Sequence, residues 1–342
     1  MNKLDREARS RILSLMFEGV SIRAITRLTG ASKNTVSRLL VDAGRACAEY
    51  QDRALRDLPC KRVQLDEIWA FVYSKQDNVR KAKAAPANAG DAWTWTAICA
   101  DTKLLISTLV GRRDTEYALH FVDDLRSRLA NRVQITSDGH RPYLAAVDTV
   151  FGDDVDYAML HKIYGSDPQG EKRYSPAICL GAEKRRVTGN PDPKHISTSY
   201  AERQNLTMRM HMRRFTRLTN AFSKKLENHG YAVALHQMFY NFVRVHQTLR
   251  VTPAMAAGVT DRLWDVGDVV SVIEAWEAEQ AVAGITYEVA KDRIGEGYHV
   301  RVLPRYGKAE TTFGFADEAA AIAFIEADRA KHRPGRRRKA AA

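Results

Sequence analysis

The chain has 342 residues, 45% of them hydrophobic, and carries 53 Lys and Arg against 41 Asp and Glu for a formal net charge of +12. That length supports a substantial core divided over two or three domains, and the basic balance predicts an anionic partner. There is no long apolar run or lipidation signal, so nucleic acid rather than membrane is the expected partner. The amino terminus, MNKLDREARSRIL, is charged throughout and does not read as a secretory leader, which makes a cytoplasmic, nucleoid-associated protein the expectation. Cys47, Cys60, Cys99 and Cys179 are scattered without a close pair and suggest neither a zinc ribbon nor a disulfide framework.

Residues 1–50 read as an all-α domain. SIRAITRLTG places Ile22, Ile25 and Leu28 at helical spacing and stops at Gly30; SKNTVSRLLVDAG then starts with Ser32 as a cap and repeats Val36, Leu39 and Leu40. Helix, Gly-containing turn and second helix form a helix-turn-helix pattern, whose second helix would offer Ser32, Lys33, Asn34, Thr35 and, one turn on, Arg38 to the DNA major groove. A plain helical hairpin with a solvated polar end is the competing explanation. Residues 51–62 read as a linker, with Pro59 ending the helical pattern.

A mixed α/β domain is expected over residues 63–260. Its strands are RVQLDEIWAFVY, WTWTAICAD and LLISTLVG, then RVQITSD after a helix over 114–130, then VDYAMLHKIYG after a helix over 142–150. That order gives a mixed sheet covered by helices. Residues 165–197 read as a Gly/Pro-rich insertion. Helices return at Ser199, and the apolar stretch from Phe222 to His246 reads as a core-packing helix. A small α+β module of three strands and a helix is expected over 261–332, serving in packing, dimerisation or DNA binding, and a basic disordered tail over 333–342.

Three acidic residues carry the chemistry. Asp66 and Asp138 each end an apolar, strand-like run, and Glu202 opens a helix rich in Arg and His. Either aspartate alone reads equally well as a strand terminator. Two similar endings, followed by Glu67 and Trp69 in one case and by Gly139, His140 and Arg141 in the other, favour a site. Carboxylate oxygens are what Mg²⁺ accepts, and phosphoryl transfer at a nucleic-acid backbone uses such hard cations on both attacking and leaving oxygens. Asn205 lies one turn beyond Glu202, where it would orient water or bind DNA. Arg209, Arg213 and Arg217 continue at helical spacing as a stripe for phosphate or as a solvated basic face. His140 and His211 are weaker candidates for phosphate contact, and Trp69, Trp93 and Trp95 read as core.

With LDEIW, TSDGHRPY and YAERQNLTMRMHMRRFTRLTNAFSKK in order, and YNFVRVHQTL behind them, residues 10–260 resemble transposases of the bacterial insertion-sequence-one family. The resemblance implies a ribonuclease-H-like catalytic domain with Asp66, Asp138 and Glu202 as catalytic metal ligands, Mg²⁺ as cofactor with Mn²⁺ as a substitute, and double-stranded DNA as partner. The chain departs from the family in lacking an amino-terminal cysteine zinc motif. It also spaces Asp138 and Glu202 by 64 residues (202 − 138), a longer interval than usual. Glu171 and Glu183 compete for the third position, but each sits in a loop-like segment that holds a ligand poorly.

The expected function is therefore a DNA transposase that cleaves and joins strands, working as a homo-oligomer that holds both element ends. A DNA-binding regulator without catalysis, and a nuclease or resolvase of the same fold, are the alternatives.

Overall fold

The computed structural model describes residues 4–165, 178–216, 220–282, 285–291, 297–304 and 310–332. The chain divides into two compact units, Met1–Ile273 and Glu274–Ala342.

In the first unit the apolar runs form a six-stranded sheet of order β3-β2-β1-β4-β5-β6. β1 (Arg62–Val72), β2 (Gly90–Cys99) and β3 (Leu105–Gly111) make an antiparallel meander. β4 (Gln134–Ser137) and β5 (Asp156–Gly165) then join in parallel, and β6 (Ile178–Thr188) closes the far edge antiparallel to β5. Helices supply the connections that parallel pairing requires.

Side-chain alternation assigns the faces. Trp95, paired with Glu67, is buried against Phe121 of α5 (Thr115–Arg126) and Tyr143 of α6 (Pro142–Phe151). On the other face Gln64, 3% exposed, accepts hydrogen bonds from the amides of Tyr200 (2.7 Å) and Ala201 (3.2 Å), pinning the start of α7 (Ser199–His211). The same arrangement leaves Val63, Leu65 and Ile68 without solvent contact, because helices cover both faces.

The amino-terminal helices are α1 (Arg6–Phe17), α2 (Ile22–Thr29) and α3 (Lys33–Ala54). Gly30 takes the left-handed cap after α2 at φ 73°, and Ser32 caps α3 by accepting from Thr35 N at 3.1 Å. A short α4 (Gln76–Val79) follows β1. α3 packs along α8 (Leu226–Met238), so closely at Gly44 that an added Cβ would stand 2.3 Å from the Tyr231 Cβ.

The stretch expected as a linker is therefore packed. Gln51 donates to Ala234 O (3.0 Å), Leu55 and Leu58 are buried, and Arg128, 3% exposed, ties Asp52 to Asp124 at 2.7 and 2.8 Å. After α8 the chain makes a π turn over Phe239–Val243, where the Asn241 amide brackets Leu105 of β3. α9 (Pro253–Ala256) and α10 (Val266–Val282) follow.

The second unit holds β7 (Ile285–Lys291), β8 (Tyr298–Pro304) and β9 (Glu310–Phe315) in one antiparallel sheet, with α11 (Glu318–His332) packed on it through Ala321 and Ile325. The expected tail, 333–342, lies outside the described residues. Among the described residues no helix is long and apolar enough to cross a membrane.

Two buried histidines of α8 make the fold sensitive to acid. Burial pushes His229 and His236 down to about 3, helped by Arg214 at the first and by His211 and Arg244 at the second. A folded-state value below the unfolded one means stability that is full above about pH 6.5 and lost as pH falls toward 3. In denaturant titrations the stability gap between wild type and His236→Gln is expected to narrow by about 2 kcal/mol between pH 7 and pH 5. A gap independent of pH would show that the folded protein accommodates the charged ring.

Candidate metal centre

Asp66 and Asp138 are brought level by strand register. The β1–β4 pairing ends at Gln64 opposite Thr136, and each aspartate lies two residues further on, where β4 has already stopped. Asp66 Oδ1 accepts from the Glu67 amide (2.8 Å) and Asp138 Oδ1 from the His140 amide (3.0 Å), which fixes one oxygen of each. Asn205, 5% exposed on α7, donates to Asp66 Oδ2 at 2.8 Å. Its burial corrects the expectation of a DNA contact: Asn205 orients Asp66.

Glu67, the next residue along β1, joins them. Single ligand oxygens of Asp66, Glu67 and Asp138 lie within 4.8 Å of one another. The Glu67 side chain is 1% exposed; Oε2 accepts from Arg113 Nε at 3.1 Å, and the buried Tyr143 hydroxyl also faces the carboxylate. Arg113 also stands 3.8 Å from Asp138 Oδ2 and lies over the Trp93 ring at 4.6 Å.

The charge balance of this cluster is unfavourable as it stands. Burial first, and the Asp138 carboxylate second, push both Asp66 and Glu67 up to about 7. Arg113 alone does not offset three close carboxylates. Asp66 and Asp138, which repel each other at the edge of an open cavity, fit a hard divalent cation, which takes oxygen ligands and supplies the missing charge.

Glu202 lines the same cavity of about 640 Å³, together with Arg113, His140, His161, Lys162 and Thr198. Its carboxylate is ion-paired with Lys162 of β5 and accepts from Thr198 Oγ1 at 2.5 Å. It stands at the cavity wall, outside the tight trio. Glu183, one competitor, is an exposed residue of β6 paired in register with His161; Glu171 lies outside the described residues.

Two expectations about the basic residues are corrected. α7 stops at His211 because Met212 turns extended (φ −126°, ψ 99°) and Phe215 is buried, so Arg209 and Arg213 do not share one helical face. Arg217 lies outside the described residues. His211 faces away from the carboxylates, against Arg244, in a second cavity. On α3, Lys33, Asn34 and Arg38 are exposed, while Ser32 and Thr35 bond each other at the cap (Oγ to Oγ1, 2.9 Å).

No family model and no curated protein matches the chain. Among solved structures it is similar to a chain in the cryoEM structure of a simian T-cell lymphotropic virus intasome in complex with PP2A regulatory subunit B56 gamma. The identity is 11%, the match covers 89% of this chain and 95% of that one, and the TM-score is 0.35.

Proposed function

We propose that the chain is a DNA transposase of the insertion-sequence-one type, which binds the ends of a mobile element and cleaves and joins DNA strands by metal-dependent phosphoryl transfer on a ribonuclease-H-like sheet. The observation that carries this reading is the register that levels Asp66, midway along β1, with Asp138, just past the end of β4, and brings one oxygen each of Asp66, Glu67 and Asp138 within 4.8 Å of one another. An acidic cluster in a chain of net charge +12 is what a polyanion-processing metal site requires.

Asp66, Asp138 and Glu202 would hold Mg²⁺, or Mn²⁺ in its place. Such cations supply charge on the phosphate oxygens and ease loss of the attacking group's proton. The chain's own groups do the rest. Asn205 and the Glu67 amide each fix one oxygen of Asp66, so its geometry is set before DNA arrives. Lys162 and Arg113, now paired with acidic neighbours at the cavity wall, are placed to take nonbridging phosphate oxygens once those neighbours engage a cation.

In the first step water attacks phosphorus, the P–O3′ bond breaks, and the 3′-oxygen leaves with the electron pair and gains a proton. In the second that hydroxyl attacks a target phosphodiester in line and displaces its 3′-oxygen. Holding two element ends at once calls for a homo-oligomer.

The decisive experiment incubates the full chain with Mg²⁺ and duplex DNA carrying the sequences that flank its own coding region. Nicked strands with free 3′-hydroxyls and joined products are expected. Cleavage without joining would make it a nuclease, and binding without cleavage a regulator.

Recognition of the ends is assigned to the exposed first turn of α3. Replacing Lys33 and Asn34 by Ala should reduce the preference for element ends over random duplex by about 1 to 3 kcal/mol for each base-reading side chain removed. Equal weakening on both duplexes, measured by competition binding, would reduce their role to phosphate contact.

A further inference from the structure

A second cavity, of about 930 Å³, opens between the amino-terminal helices and the connection from α7 to α8. One wall carries Arg23 of α2 and Lys33 of α3; the other carries Arg213, Arg214 and Lys224. No carboxylate is among the described residues that line it. Arg23, Lys33, Arg213 and Lys224 are exposed, and none of these five cations has an ion-pair partner among the described residues. Cations gathered on facing walls without a counterion raise a positive field that draws in an anion.

Arg214 is the fixed point. Its guanidinium is pushed down to about 10 by burial, and its Nη1 donates to Ser223 Oγ at 2.7 Å. Ser223 is 1% exposed, and its carbonyl accepts from the Tyr73 amide at 2.8 Å, forming a bridge with Val72 at the end of β1. The strand that carries Asp66 therefore also holds the cation that anchors this cleft. Lys224 is steadied over the Phe222 ring at 4.3 Å.

We propose that this cleft is a phosphate-binding track for duplex DNA, separate from the carboxylate cavity, with Arg214 as its anchor and Arg23, Arg213 and Lys224 along its walls. Cations contributed from two walls match successive phosphates of a backbone better than one small anion, and the planar guanidinium of Arg214 suits bidentate phosphate contact. The proposal rests on the chain being a DNA-processing enzyme but needs no metal, so the two fail separately.

The test measures binding of a fluorescent duplex of about 30 base pairs to the full chain in the Asp66→Asn background, in EDTA, across a salt series. Arg23→Gln with Lys224→Gln changes only exposed side chains; it is expected to lower affinity at least tenfold and to reduce the salt slope by about 1.8, at about 0.9 per neutralised phosphate. Arg214→Met should lower affinity likewise while melting close to its parent, because it removes a half-buried charge that has no counterion. Unchanged affinity and slope in both variants would overturn the proposal. So would displacement of the duplex by millimolar inorganic phosphate at constant ionic strength, which would make the cleft a small-anion pocket. A wild-type chain that binds through this cleft yet cleaves nothing with Mg²⁺ would sink the catalytic reading and leave the track standing.

Discussion

Asp66→Asn and Asp138→Asn are each expected to lower metal-dependent strand cleavage by more than about a hundredfold, since loss of even an outer-shell partner costs about 10–100-fold at a metal site. Stability is expected to move the other way. Burial first, and the Asp138 charge second, push Asp66 up to about 7 in the folded chain against an ordinary 3.8. A raised carboxylate value means that folding is penalised by ionisation: the penalty is absent below about pH 4 and complete above about pH 7. At about 1.36 kcal/mol per pH unit this amounts to something on the order of 4 kcal/mol in the metal-free chain. Asn carries no charge, so Asp66→Asn should melt above wild type in EDTA at pH 8, and Mg²⁺ should raise wild type far more than the variant. A variant that melts lower without metal would show that the hydrogen bonds of Asp66 to Asn205 and to the Glu67 amide outweigh the repulsion around it.

What was legible in the sequence is what local pattern determines. β1 through β5 stand out as apolar runs because helices bury both faces of the sheet, and Asp138 follows from where β4 ends; Asp66, expected to end its run, instead sits midway along β1, which continues through buried Ile68, Ala70 and Val72. β6 was not legible. It lies at the edge with Leu180 70% exposed and the polar run Lys184–Arg186 turned to solvent, so no apolar alternation marks it, and the segment reads as loop.

The packed stretch after α3 was missed for a related reason. Leu55 and Leu58 are isolated apolar residues whose burial depends on α8 and on the Arg128 ion pairs, interactions made far along the chain. The stop of α7 at His211 is likewise tertiary, since MRRF has helical composition but Phe215 is drawn under the chain. Glu67 is the instructive case. Alternation predicts the opposite face from Asp66, yet one oxygen of Glu67 lies within 4.8 Å of ligand oxygens on Asp66 and Asp138, a closeness that periodicity does not reveal.

Glu202→Gln is expected to cost as much cleavage as either aspartate substitution, whereas Glu67→Gln should cost no more than about tenfold, the lower bound for a supporting group at a metal site. Glu202 sits on a helix pinned to β1 by Gln64 and one turn before the Asn205 that holds Asp66, with its carboxylate open to the cavity. Its partner Lys162 is a mobile single cation that a divalent ion can replace. Glu67 is nearly sealed from solvent and held by the Arg113 fork, so its part is to anchor Arg113 and deepen the negative field around Asp138. Single-turnover cleavage across a Mg²⁺ series separates the two roles: Glu202→Gln should shift the curve to higher metal concentration, and Glu67→Gln should lower its plateau without moving its midpoint. A midpoint shift confined to Glu67→Gln would transfer the third ligand to β1, where one oxygen of Glu67 already lies within 4.8 Å of ligand oxygens on both aspartates. Glu202 would then be left as the group that stores Lys162 until a phosphate arrives.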